Sequence, residues 1–216
     1  GADWRRAGRA TPSHSGLCIE GVSSSRLTNT ARDGTELISA GPAHVPIEIS
    51  SAPDGLRFQG GHDGWLRTHG LTHARTLELT SDGRGLAGED MLFAVEEADK
   101  VIFQKALARG VDAGLLFQIR FHLHPEVDAA IDMGGAAISL ALRSGEIWVL
   151  RCEPNAELSL EPSVYLETGR LKPRATKQVV LSARAMEYAT RIRWSLAKAH
   201  DSAIAIRDVQ RDELEL

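Results

Sequence analysis

LELTSDGRGLAGEDML, residues 77–92, is the stretch from which the fold is read. Leu77 and Leu79 alternate with Glu78 and Thr80. That period of two sets one face of a strand on a core and the other in solvent or a cleft. SDGRG at 81–85 is a turn signal. In the GEDML that follows, adjacent Glu89 and Asp90 point to opposite faces of an extended chain. They are therefore not a catalytic carboxylate pair, and the expected role is to hold a turn or an arginine.

The same period recurs along the chain. Ile192, Trp194 and Leu196 alternate with Arg191, Arg193 and Ser195, and Ile138, Leu140 and Leu142 with Ala137, Ser139 and Ala141. Val45, Ile47 and Ile49 alternate with Pro46, Glu48 and Ser50. PDG at 53–55, MGG at 133–135 and RSGE at 143–146 punctuate the runs. Many short strands with regular turns predict a mainly β protein, an antiparallel β-sandwich. EEADKVIFQKALARG breaks the pattern: Ala98, Val101, Ile102 and Leu107 fall near helical spacing and Gly110 is a stop. One short helix or insertion is expected near 96–109. The domain is expected over 1–200, with 201–216 a charged tail or a last strand at Ser202–Arg207.

Composition narrows the function classes. The 216 residues carry 43% hydrophobic and 25% charged residues, enough apolar side chains for a core. The net charge of −4 gives no general attraction to nucleic acid or to an anionic membrane surface. No run reaches the length of a membrane-spanning helix, so no membrane insertion is expected. GADWRRAGRA at the start has no apolar centre of the signal-peptide kind. Cys18 and Cys152 lie in strand-like runs and read as buried thiols, with a disulfide between them left open.

Three places hold candidate chemistry. In FQIRFHLHP, 117–125, a strand puts Arg120, His122 and His124 on one face. Two histidines at that spacing reach one metal, and the arginine could hold a carboxylate. The plainer reading is that the histidines hydrogen-bond within the sheet. In GGHDGWLRTHGLTH, 60–73, Trp65 could offer a flat face to a sugar ring, with Arg67 and His69 beside it on one strand. The alternative is a hairpin with polar residues facing solvent. His14, in TPSHSGLCIEG at 11–21, reads by spacing alone as a turn residue ahead of a strand. There is no GxSxG, P-loop or HExxH pattern.

Several phrases in order resemble one family. DWRRAGRATPSHSGLCIEG with SSSRL at 23–27, the GGHDGW…GEDML run of 60–92, FQIRFHLHPEV, EPSVYLETGRLKPRATKQVVL at 161–181 and RIRWSLAKA resemble the C-terminal β-domain of bacterial heparinase II/III-like proteins. Such proteins join an N-terminal (α/α) toroid to the sandwich and are lyases, or presumed lyases, of uronate-containing glycans in the cell envelope or periplasm. The resemblance makes His14 one ligand of a structural zinc, with a histidine and an aspartate on earlier strands as the others. Gly16 departs from the threonine usual after that histidine. The catalytic tyrosine and the group that neutralises the substrate carboxylate belong to the toroid.

These expectations define the reading to be tested. The chain is a sandwich lacking its first strands, inactive alone, without bound zinc or other cofactor, and self-associating through an open sheet edge. Its expected partners are an acidic polysaccharide and the missing toroid. The rival is a non-catalytic carbohydrate-binding or assembly module. Its polar face would be built from Trp65, Arg67, His69, Arg120, His122 and His124.

Overall fold

The computed structural model describes residues 2–29, 36–110, 113–169 and 172–199. The expected strand at 202–207 lies outside them. A short helix α1 (Ala2–Ala7) leads through a 3-10 turn at Thr11–Ser13 into β1 (Leu17–Ile19). A separate hairpin, β2 (Arg26–Asn29) and β3 (Glu36–Ala40), follows. Next come β4 (Ile47–Ala52), β5 (Gly55–Trp65), the single turn α2 (Leu66–His69), β6 (Leu71–Thr80), β7 (Gly85–Phe93) and α3 (Glu97–Leu107). The second half is strand after strand: β8 (Leu115–His122), β9 (Asp128–Asp132), β10 (Ala137–Ala141), β11 (Ile147–Cys152), β12 (Glu157–Tyr165), β13 (Arg174–Ala185) and β14 (Ala189–Lys198).

The strands form two main antiparallel sheets. The larger runs β4-β5-β6-β7-β14-β11-β10-β9, and the smaller runs β1-β8-β13-β12. The fold is the expected mainly β sandwich. Ile192, Trp194, Leu150 and Ile138 of the large sheet share one core with Phe117, Ile119, Val179 and Leu181 of the small one. Phe121 meets the Trp194 indole edge-on, their centroids 4.6 Å apart. Gly88 lies opposite Trp194 in the ladder, and a Cβ there would overlap the indole. The glycine is what lets the ring lie flat along β7.

Two expectations from periodicity need correction. Of the Val45–Ile49 alternation, Ile47 and Ile49 lie in a strand, but that strand buries nothing: Ile47 is 62% exposed and Ile49 71%. It is the edge of the large sheet, beyond the reach of the four-stranded sheet that covers β14 and β11. The helix at 97–107 is present, but its buried side is Phe103 and Ala106, whereas Val101 is exposed. It packs against the turn after α2, where Gly70 has a left-handed φ of 66° and leaves room for the Asp99 carbonyl. Cys18 and Cys152 are free thiols, and burial raises the pKa of each. No helix among the described residues is long and apolar enough to cross a membrane.

Candidate functional site

The turn at 81–85 sets the register of the large sheet's middle. Folding β6 back on β7 places Arg75 opposite Asp90 and Thr76 opposite Glu89. Adjacent carboxylates then part company as strand geometry requires. Glu89 points outward and accepts from Arg193 Nε at 2.8 Å. Asp90 points inward and is 1% exposed. Its two oxygens accept from His73 Nε2 at 2.7 Å, Arg75 Nε at 2.8 Å, Arg75 Nη2 at 3.1 Å and Trp194 Nε1 at 2.9 Å. Burial alone would push this carboxyl up. The His73 hydrogen bond and the Arg75 charge outweigh it and hold the pKa below the usual value.

A second contact ties this hub to the N-terminal phrase. Arg75 Nη1 donates to the Ser15 carbonyl at 3.3 Å, while the Ser15 hydroxyl accepts from the His122 backbone N–H at 3.0 Å. Arg120 N–H donates to the Gly16 carbonyl. Residues 15–16 thus bridge the two sheets and lead β1 onto β8 in register, Leu17 opposite Ile119. His14 itself is exposed beside this bridge.

Beyond Asp90, a row of aromatic groups continues on the same face. His62 pairs with His73 across the β5–β6 ladder, their rings 5.3 Å apart, and lies 4.9 Å from Trp65. His62 Nδ1 accepts from the Gly64 N–H at 3.1 Å, so that nitrogen carries no proton. Burial, then the charge of His73, push the imidazole down to about 4, with Asp63 opposing. His62 is therefore neutral at physiological pH.

The predicted site residues are not brought together as expected. Trp65 is fully buried, so it offers no face to a sugar; its ring packs against His62 and His73 inside the sandwich. Arg67 and His69 do not share a strand face with it, because 66–69 turns into α2. Arg67 is exposed at the surface. His69 is buried, donates from Nε2 to Glu20 Oε2 at 3.2 Å, and takes the Thr68 hydroxyl on Nδ1 at 2.8 Å. Burial lowers its pKa against the opposing pull of Glu20.

Arg120 and His122 do share a face of β8, on the outside of the small sheet. Arg120 reaches Gln118 and Glu161. His122 donates from Nε2 to the Pro12 carbonyl at 3.0 Å and accepts the Ser163 hydroxyl on Nδ1 at 2.9 Å. Burial lowers its pKa, with the Arg120 and His14 charges adding to the effect. His124 lies past the strand end, its Nδ1 capping the Glu126 N–H and its ring edge-on to Tyr165. The hydrogen-bonding reading of these histidines is therefore the one realised.

Among the described residues no zinc ligand set is assembled around His14. His122, which senses the His14 charge, has both ring nitrogens engaged in hydrogen bonds. No group of three His, Cys, Asp or Glu among the described residues could hold a metal ion.

The phrases that flank the hub are diagnostic when taken with the sheet order. The sequence of residues 1–195 matches the model of the family described as heparinase II/III-like, C-terminal. The chain belongs to that family. It is 36% identical over 160 residues to FtsZ-localized protein C of Caulobacter vibrioides, covering 74% of this chain and 26% of that protein. Among solved structures, a heparinase III gene product superposes with a TM-score of 0.64 at 12% identity, covering 94% of this chain and 26% of that one. The heparan sulfate lyase HepC of Pedobacter heparinus gives 0.61 at 10% identity, covering 91% and 26%. The heparinase II/III-like chain thus spans about a quarter of the length of these relatives. Likeness at such low identity to the solved enzymes establishes the shared fold.

Sequence reasoning missed the Asp90 hub, although its register was available from the SDGRG turn. It read 60–73 for exposed polar residues, whereas the histidines that matter for the interior, His62 and His73, face inward.

Proposed function

We propose that this domain is the glycan-facing β-sandwich of a lyase-like protein acting on uronate-containing polysaccharides, and that it performs no β-elimination alone. Elimination removes the proton at C5 of a uronate, α to its carboxylate, and expels the sugar linked at C4. It requires a base at that proton and a group that neutralises the carboxylate. The family match and the sandwich support the assignment to such a protein.

One observation carries the second half: both tyrosines of the chain serve packing. Tyr165 stacks edge-on with His124, and Tyr188 packs on Phe103 while its hydroxyl accepts from Gln104. His69 and His122 have both ring nitrogens engaged in hydrogen bonds, and His73 is buried with Nε2 donating to Asp90. The base and the carboxylate clamp are therefore assigned to a preceding (α/α) domain. The test is to incubate the protein with heparan sulfate, alginate and hyaluronan and follow unsaturated uronate by ultraviolet absorbance. No turnover is expected; sustained turnover would overturn the proposal.

A second reading has its own support. The relative at 36% identity is named for localisation with FtsZ, a name that points to assembly rather than to a substrate. Under this reading the sandwich is a non-catalytic binding or assembly module. It gains if the protein neither cleaves nor binds any acidic glycan.

A further inference from the structure

The N-terminal phrase and the SSSRL phrase meet at a second place, away from the Asp90 hub. Thr11 N–H donates to Ser23 Oγ at 3.0 Å, and Ser24 N–H donates to Thr11 Oγ1 at 3.0 Å. These bonds fix one wall of a cleft of about 620 Å³. Arg6, Arg9, Arg26 and Arg67 all line it. All four are exposed.

Among the described residues the charge there is neutralised only in part. Among the described residues Glu36 is the one carboxylate in contact with these arginines: its Oε1 is 3.6 Å from Arg6 Nε in an open pair, and its backbone carbonyl takes Arg9 Nη1 at 2.7 Å. The guanidinium groups of Arg26 and Arg67 have no hydrogen-bond or ion-pair partner among the described residues. This contrasts with Arg75, Arg120 and Arg193, each of which has its carboxylate. Four like charges converge on one concavity in a protein whose net charge is −4. Self-repulsion of that kind is relieved by an anionic ligand.

We infer that this arginine cleft binds the carboxylate-bearing backbone of an acidic polysaccharide. The inference rests on the glycan reading proposed above and gives it a location. Guanidinium forks suit carboxylates, which they bind bidentately through paired N–H donors. Ser25 lines the same cleft, and its hydroxyl suits a sugar hydroxyl. The described lining holds no aromatic ring on which nucleobases could stack, which disfavours a single-stranded nucleic acid. The bonded Thr11–Ser24 wall is already ordered, so binding costs little rearrangement there.

The test uses the full chain and fluorescently labelled heparan sulfate and alginate oligosaccharides at low salt, with neutral dextran as the control glycan. The doubly substituted Arg26→Ser, Arg67→Ser protein should lose affinity by tenfold or more. A charge-matched control, Arg57→Ser with Arg143→Ser, should bind as the unaltered protein does. Those control arginines sit in exposed pairs with Glu78 and Glu126, far from the cleft in sequence and worth little to stability. Unchanged binding by the Arg26, Arg67 variant would overturn the cleft while leaving the glycan reading intact. Absence of binding by the unaltered protein would overturn both. Displacement by polyglutamate as effective as by the glycan, at equal carboxylate concentration, would overturn the polysaccharide class in favour of an acidic peptide.

Discussion

The middle of the large sheet and its β4–β5 edge make opposite use of the same sequence pattern. On β14 and β11, alternating apolar residues meet the small sheet, and Ile192, Trp194 and Leu150 are buried. On β4 and β5 the same alternation leaves Ile47, Ile49 and Leu56 in the open. Asp90 sits on β7, between β14 and β6. Period two specifies which side chains share a face. Whether that face is buried depends on what lies across from it, and only long-range topology decides that.

The sharpest way to break the comparison is at Asp90. Asp90→Ala should destabilise the protein by about 3–5 kcal/mol in urea unfolding, because it leaves the Arg75 guanidinium in the interior without its partner. The Trp194 N–H and the His73 N–H lose an acceptor in the same step. A cost below about 1 kcal/mol would mean that the hub is solvated and not a structural centre.

A smaller effect is expected one row away. Gly88→Ala pushes a methyl into the Trp194 ring and should cost about 1–3 kcal/mol by overpacking. If Trp194 can tilt away, the variant Gly88→Ala with Trp194→Phe should recover much of the loss. Lack of any loss in the single variant would show that the indole is not held flat.

The pH response tests the neutral His62. His62 has a folded pKa depressed to about 4, below the ordinary 6.5. The unfolded chain therefore takes up a proton that the folded protein refuses. Stability is full above the unfolded value and is lost as pH falls from about 6.5 toward 4. For a half-buried imidazole the loss should be about 1–2 kcal/mol after discounting for solvent screening. His69 and His122, also lowered, act in the same direction. Asp90 acts later, since a depressed carboxyl loses its contribution only below its ordinary value near 3.8. His62→Asn, which keeps an acceptor for the Gly64 N–H, should flatten the slope of urea midpoint against pH between 7 and 4.5. An unchanged slope would sink the assignment.

The strand periodicity, the helix near 97–107 and the separation of Glu89 from Asp90 were legible in the sequence because each depends on patterns within a few residues. The Asp90–Arg75 pair was legible in principle, since a hairpin folded on Asp82–Gly83 aligns them. The Trp194 bond to Asp90 was not, because β14 reaches β7 across 104 positions of chain. The Trp65 sugar face failed for a related reason. Period-two reasoning carried the strand through 65–69, whereas the ladder breaks at a bulge between His62 and Trp65 and the backbone turns helical. The arginine cleft was beyond such reasoning, since it joins α1, the SSSRL phrase and α2, which no local pattern relates.

The exposed end should show the smallest effect on stability and the clearest effect on association. Ile49 lies mid-strand on β4, which pairs with β5 alone among the described strands and so forms an edge of the large sheet. Ile49→Lys should change the unfolding free energy of the isolated chain by no more than about 0.5 kcal/mol, as surface substitutions do. An exposed apolar edge strand is a template for a second copy of the same strand, and a lysine there is a natural block to such pairing. Sedimentation of the unaltered chain is therefore expected to show concentration-dependent self-association, and Ile49→Lys to show a monomer at the same concentration. Equal association of the two proteins would move the contact elsewhere. A monomeric unaltered chain at high concentration would remove it. Either way, Ile49→Lys and Asp90→Ala together separate what the alternation in β4 and in β7 is for: one set of side chains holds the two sheets together, and the other waits for cover that this chain does not supply among its described residues.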